Sequence, residues 1–496
     1  MRNRVEPEVR VVQVQMSEDA ANADGTVLRS WREHLLLRKV TWLRVAVALL
    51  LLALVAAVAT AVVFAVRASD SGDGDAAPLP HVPDGCDVDD FEVTVLTVTS
   101  STGATGASCT VPPNVSLPEG YQLEVVACEL LKPRSISLGK EPGTYFLGSR
   151  LFGGLSNVMA VVVTPNAGSG SSSGSNSSIT VYELDTLDQP HGVQYSPAAG
   201  GTLFVTSAFD LHVYEGVDAV VAGETTQLPR LTITSAFPPL PSLQWHHIEA
   251  APADGALFVS SSAGCDHCLP VEGGAAIARV NVSNCYQVEP LYEGIRFSVG
   301  FDFHPKDQAL WFTNNGADSI QGDEPHDTLN RVSMAGEHFG FPFCYFSANS
   351  SFEQSTNEQV YQDSLAYAGD TSNSAEASYS ADPVDCATLS TNTYSLGQHV
   401  APLGMRFCDH ETNANFPTAD CLDHVYIAER ASYEVGRAHV ESGTNKVVGY
   451  EPFLTGMSKE ASDAFGGFVD VAFDADGTLL VTDDYAGALY RVSHAA

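Results

Sequence analysis

The sequence is short of positive charge. Its 496 residues hold 24 Lys and Arg against 60 Asp and Glu, a formal net charge of −36, and only six of the basic residues are lysine. Such a surface repels phosphate backbones, which excludes nucleic acid as a partner. Cysteine is missing from the first 85 residues and then occurs ten times. One Cys-x-x-Cys is present, Cys265-Asp-His-Cys268, with no second pair or His-x-x-x-His to complete a zinc site. A structural disulfide is therefore expected there. No long amphipathic helical pattern appears, which leaves the fold to strands.

What is present first is an uncharged apolar run at 45–66, long enough to cross a bilayer as a helix. A cleaved signal peptide is the competing reading, but the run exceeds the usual apolar core of one. Arg29, Arg32, Arg38, Lys39 and Arg44 precede it, whereas Asp70, Asp73 and Asp75 follow. The asymmetry predicts a single-pass type II membrane protein with 1–44 cytosolic, 45–66 a transmembrane helix, and the remainder extracellular or lumenal. Ten cysteines beyond the run suit disulfides on that side. Asn114, Asn176, Asn281 and Asn349 open N-x-S sequons, as in a glycoprotein. Residues 67–117 are rich in Asp, Gly, Ser, Thr and Pro and read as a stalk, pinned by a Cys86–Cys109 bridge.

From residue 118 to 496 a unit recurs: a turn, an apolar alternation, a Pro/Asp/Gly turn, and a second strand ending in small or polar residues. Copies start at Pro133, Pro190, His246, Ser298, Pro402 and Phe468. Six such units predict an all-β, six-bladed β-propeller, because each buries its faces only by packing radially on its neighbours. An irregular β-sandwich is the alternative. Residues 166–178 read as a solvated Ser/Gly loop, and 347–395 as a lid or rim, or as a disordered insertion.

In a propeller, equivalent ends of the innermost strands converge on the axis. His191, His246, His247, Arg296 and His399 sit at such positions. Histidine supplies a base near neutral pH, and arginine a forked donor for an oxyanion or carboxylate. After "LWFT" comes a polar loop with Gly316, Asp318, Asp323, Glu324 and Asp327, whose oxygens suit a hard cation such as calcium. A solvated acidic loop is the plain alternative.

The stretches "GIRFSVGFDFHP", "LWFTNNGADSIQGDEPHDTLNRV", "GEHFGFPFC", "HVAPLGMRF" and "FVDVAFDADGTLLVTDDYAGALYRVS" resemble the glucose/sorbosone dehydrogenase family. "GCDHCLP" resembles a Cys-x-x-Cys-x-Pro stretch of its sorbosone branch. The likeness runs from Leu117 to the end. It implies a quinoprotein that uses pyrroloquinoline quinone (PQQ) with Ca2+, oxidises a sugar or sugar-derived alcohol or aldehyde, and passes electrons to an external acceptor. It implies that the catalytic base lies in the His246-His247 pair, that Arg296 contacts the quinone, and that the Gly316 and Ala317 carbonyls bind calcium. His191 and Arg430 become further cofactor contacts, Arg430 standing in "AERASY" where the family has "AEHGSW". Phe297 stands where an asparagine is usual, and the lysine after the double histidine is absent. Two other readings remain: a non-catalytic cell-surface propeller that binds carbohydrate or protein, and a calcium-dependent lactonase-type hydrolase.

Overall fold

The computed structural model describes residues 80–87, 91–105, 111, 114–151, 154–165, 177–240, 244–318, 320, 325–354, 384–389, 392–408, 415–456 and 466–494. They belong to one compact unit, Ala77–Ala496. The apolar run 45–66 and the tail before it lie outside the described residues, as do Asn176, Asp323 and Glu324. Among the described residues no helix is long and apolar enough to cross a membrane.

The fold is a six-bladed β-propeller. The innermost strands are Pro133–Leu138, Val193–Ser196, Ile248–Ala250, Phe301–Phe303, Pro402–Phe407 and Phe468–Phe473. Each opens an antiparallel sheet, here blades 1 to 6 in chain order. All six sequence repeats fall on these openings. Blade 6 is completed by Tyr121–Cys128, which pairs with the last strand, Ala488–His494, and so closes the ring.

Burial follows from this arrangement. Second strands such as Thr144–Ser149, Thr202–Thr206 and Leu479–Asp483 are buried at every residue, because blades cover both faces. The apolar side chains meet in six clusters, one between each neighbouring pair of blades. Polar latches join the blades near the axis. Thr206, Thr313 and Thr482, at or one residue before the ends of the second strands of alternate blades, donate to the carbonyls of His246, Leu403 and Arg134 on the next blade, at 2.5, 2.7 and 2.7 Å. Gly192 allows one such approach: a Cβ there would collide with the His246 carbonyl.

Two expectations change. Residues 91–105 are not a free stalk. Phe91–Thr97 is a fifth strand on the outer edge of blade 2, Thr99–Thr102 a fifth strand on blade 1, and Ala104–Thr105 pairs with Tyr121–Cys128 on blade 6. Cys86 bonds Cys285 on blade 3 rather than Cys109, across a separation of 199 residues. The segment is thus a belt held to four successive blades. The other bonds within the described residues are Cys265–Cys268, Cys344–Cys386 and Cys408–Cys421. The 347–395 insertion lies within blade 4. Phe352–Gln354 forms a hairpin with Cys344–Phe346, and Thr393–Gly397 is the blade's outermost strand.

Candidate functional site

One mouth of the ring lies where the innermost strands begin and the second strands end, and every blade supplies a side chain to it. Blade 1 gives Arg134 and Arg150, blade 2 His191, blade 3 Trp245, blade 4 Arg296 and Phe297, blade 5 Arg430 and blade 6 Asp484. Asp484 accepts from Arg134 Nη1 at 2.6 Å and from Arg430 Nε and Nη2 at 3.3 and 3.2 Å. Its carbonyl accepts from Lys132 Nζ at 3.2 Å. Two arginines thus pair with one carboxylate, a lysine caps the same residue's carbonyl, and Arg150 lies close enough to feel their charge. The crowding has an electrostatic signature. Burial first, then the neighbouring Arg134 and Arg430, pull the Arg150 pKa down to about 9.

Trp245 is the flat floor of this cluster. The Arg150 guanidinium lies 3.7 Å from the centre of its ring and that of Arg134 4.8 Å. The His191 ring stacks on it at 5.7 Å. Arg134 Nη2 donates to His191 Nε2 at 3.3 Å, and a guanidinium has no lone pair with which to accept. The His191 proton therefore sits on Nδ1. Burial, reinforced by Arg134 and Arg150, keeps the ring neutral.

Trp245 also touches Phe297, ring centres 4.9 Å apart. The two join Val299, Leu403 and Val469 in one buried cluster. Side chains from four blades meet only on the axis, so this cluster plugs the channel. Phe297 is part of the plug.

Beyond Phe297 lies a second group. Arg296 donates through Nε to the Asp266 carbonyl at 2.7 Å, through Nη2 to Asp266 Oδ1 at 2.8 Å, and through Nη1 to the Asn315 carbonyl at 3.2 Å. Asp266 sits inside the Cys265–Cys268 loop, and the disulfide holds it in place. Gly316 N and Ala401 N both donate to Asp327, at 2.7 and 2.9 Å. Burial lifts the Asp327 pKa to about 6 despite those bonds. Gly316 does not need a positive φ. A Cβ there would lie 3.0 Å from Pro325 Cβ and 3.2 Å from the His326 carbonyl, so it is close approach that favours glycine. Arg296, Gly316 and Ala317 line one hollow of about 30 Å³, the size of a single water or ion. Asp318 is exposed and contacts His399 at 3.1 Å.

The expected residues thus divide. His191 and Arg430 meet at the mouth, and Arg296 meets Gly316 and Ala317. His246 and His247 make no contact with Arg296 among the described residues. His246 is fully buried, stacked on Phe237, with Nδ1 2.9 Å from the Ser260 carbonyl and Nε2 3.3 Å from that of Ala208. Burial holds its pKa to about 4, so the ring is neutral and turned into the blade. His247, also held to about 4 by burial, packs edge-on against Phe301 with Nε2 3.9 Å from Glu249. Arg134, Arg150, Trp245, Asp484 and Asp266 escaped the sequence reading. Arg134 occupies the repeat position of His191, and Arg150 and Asp484 that of Arg430, so superposing the repeats would have found these three; Trp245 stands one residue before the His191 position. Among the described residues no three His, Cys, Asp or Glu side chains cluster as a metal site. A metal at Gly316 and Ala317 would rest on main-chain oxygens, unlike the side-chain set a lactonase-type centre calls for.

No protein-family model matches the chain. An uncharacterized protein of Borreliella burgdorferi is 26% identical over 395 residues, covering 76% of this chain and 90% of that one. The iodide structure of a Trichoderma reesei protein of Carbohydrate-Active Enzymes Family AA12 superposes with a TM-score of 0.58 at 17% identity, over 78% of this chain and 99% of its own. The holo form of the pyranose dehydrogenase PQQ domain from Coprinopsis cinerea gives 0.55 at 15%, over 76% and 97%. At these identities the likeness is one of fold: the chain is built like the Trichoderma protein and the Coprinopsis PQQ domain.

Proposed function

We propose that the protein is a quinoprotein dehydrogenase that oxidises a sugar or sugar-derived alcohol or aldehyde, with electrons leaving to an external acceptor. The observation that carries this is the basic mouth. In a chain of net charge −36, Arg134 and Arg430 pair with the Asp484 carboxylate, Lys132 with its carbonyl, and Arg150 packs beside them on an indole face. Such a set fits a planar polycarboxylate, since guanidinium forks pair with carboxylates and the ring offers a flat apolar surface. PQQ has that shape, and when bound it supplies a two-electron acceptor for hydride. The Gly316 and Ala317 carbonyls, beside the Arg296 guanidinium, fit calcium.

The remaining roles belong to the chain. Arg134, Arg150 and Arg430 hold carboxylates, and Trp245 with Phe297 keeps water out of the channel beneath. Arg296 stabilises negative charge developing next to it. His191 is the neutral histidine at the mouth and takes the hydroxyl proton once a ligand draws Arg134 away from Nε2. The named activity of the Coprinopsis relative supports a sugar as substrate. We also place the 45–66 run across a membrane, with the propeller outside or lumenal.

A second reading, a propeller that binds an anionic ligand without turnover, is favoured by the burial of His246 and by the Arg134 bond to His191. The test uses the full-length protein with PQQ and calcium, following cofactor absorbance and dye reduction across a sugar panel. Arg430→Ala should weaken PQQ binding about tenfold or more, the worth of a hydrogen bond to a charged group. His191→Ala should abolish dye reduction while binding persists. Loss in His246→Ala or His247→Ala instead returns the base to that pair. Binding without reduction by wild type supports the second reading, and no binding defeats both.

A further inference from the structure

The innermost strands end at the opposite mouth, and there the structure builds another site. One position recurs in all six strands, one residue before each strand's last aromatic or aliphatic side chain. It is Ser137, Gln194, Glu249, Asp302, Arg406 and Ala472 in blades 1 to 6. All six line a single cavity of about 490 Å³. Arg406 reaches across it. Its Nη2 donates to Glu249 Oε2 at 2.8 Å, from blade 5 to blade 3, and its Nη1 meets Asp302 Oδ1 at 3.4 Å on the blade between. Asp302 Oδ2 also accepts from Phe407 N at 2.8 Å, which fixes the carboxylate. These charged side chains are 10–19% exposed, low for ionised groups yet open to the cavity. Tyr195, Phe303, Phe407 and Phe473 form the walls.

The apolar plug of Trp245, Phe297, Val299, Leu403 and Val469 separates this cavity from the basic mouth. The two are chemically different. One side has clustered cations, and the other has both signs in one ring. A cation entering the ring meets Arg406, and an anion meets Glu249 and Asp302. A hydroxyl both donates to a carboxylate and accepts from a guanidinium, so a neutral molecule carrying several hydroxyls satisfies both. The amide of Gln194 and the hydroxyl of Ser137 extend the same pattern. The volume lies in the range of small-molecule pockets, with a few fixed polar groups against aromatic walls.

We infer that this second mouth is a binding site for a neutral polyhydroxylated molecule, formed by Ser137, Gln194, Glu249, Asp302 and Arg406, and independent of the reaction at the other mouth. It stands on its own geometry and holds even if the proposed oxidation does not.

The test probe is myo-inositol, a cyclic polyol without a carbonyl or a reducing end, titrated into the full-length protein by calorimetry and saturation-transfer NMR. One saturable site is expected. Gln194→Leu, which removes a half-buried amide without touching the ion pairs, should weaken it about tenfold. Glu249→Gln should do the same, while Arg430→Ala at the other mouth should not. No saturable binding by folded wild-type protein overturns the inference. So does binding that survives both ring substitutions, binding that Arg430→Ala removes, or a preference for tetramethylammonium or malonate over inositol.

Discussion

Asp470 stands two residues before Ala472 of the second-mouth ring and accepts from Ile136 N on blade 1 at 3.0 Å and from Val471 N at 2.9 Å. Burial lifts its pKa to about 7 although Arg406 and these donors oppose the rise. In the unfolded chain the group ionises near 3.8, so between those values folding takes up a proton. Its contribution to stability is complete below the unfolded pKa and is lost as pH rises through about 7. The advantage of wild type over Asp470→Asn in urea unfolding should therefore be largest below about pH 4, fall as pH rises toward about 7, and level off by pH 8. A difference that is flat or grows with pH would contradict the assignment. The buried His246 and His247 carry the opposite slope, because their pKa values are depressed. Comparing single variants isolates the carboxyl. This carboxyl was not legible in the sequence, since "FVDVAF" reads equally well with the aspartate facing water. His191 was legible because it falls at a repeat start, where side chains converge, and Arg430 only through the resemblance of "AERASY" to the family's stretch. His246 shares the repeat position of His191, but its ring is held inside by Phe237 and by the Ser260 and Ala208 carbonyls.

Among the elements, the six innermost strands were readable because alternation and turn residues mark each one. The belt was not. Thr99–Thr102 is Thr-Ser-Ser-Thr and exposed at all four residues, so no buried face leaves a period in the sequence. It is held by main-chain pairing to blade edges, which any side chains permit. An outer edge left open would offer unpaired donors and acceptors to other chains. The belt covers three such edges, and Cys86–Cys285 fastens its start. Replacing both cysteines by serine should cost about 2–4 kcal/mol, as expected for a bond closing a long loop. Limited proteolysis should then cut first near residues 80–91. A double variant as stable and as protease-resistant as wild type would show that the strand pairing alone secures the belt.

For the whole molecule, the extracellular or lumenal placement proposed for the propeller can be checked through its sequons. The sequons Asn114 and Asn349 are exposed, and Asn281 is half-buried in the turn that carries Cys285. In a glycosylation-competent host, glycosidase treatment should lower the apparent mass of the full-length chain, and Asn349→Gln should remove part of that shift. Bare sequons together with glycosylation of a site added before residue 44 would reverse the orientation.

Ring closure also sets a schedule for synthesis. Tyr121–Cys128 is made early, yet its partner Ala488–His494 is nearly the last segment of the chain. At ~5–20 residues per second, the intervening chain takes tens of seconds to emerge. Through that interval the early strand holds one ladder edge without its partner, and the cysteines on either side of it are open to wrong pairing. The belt can settle on blades 2 and 1 before then, since both are complete once residue 233 has been made. The order of synthesis thus lets the rim be secured before the seam is closed.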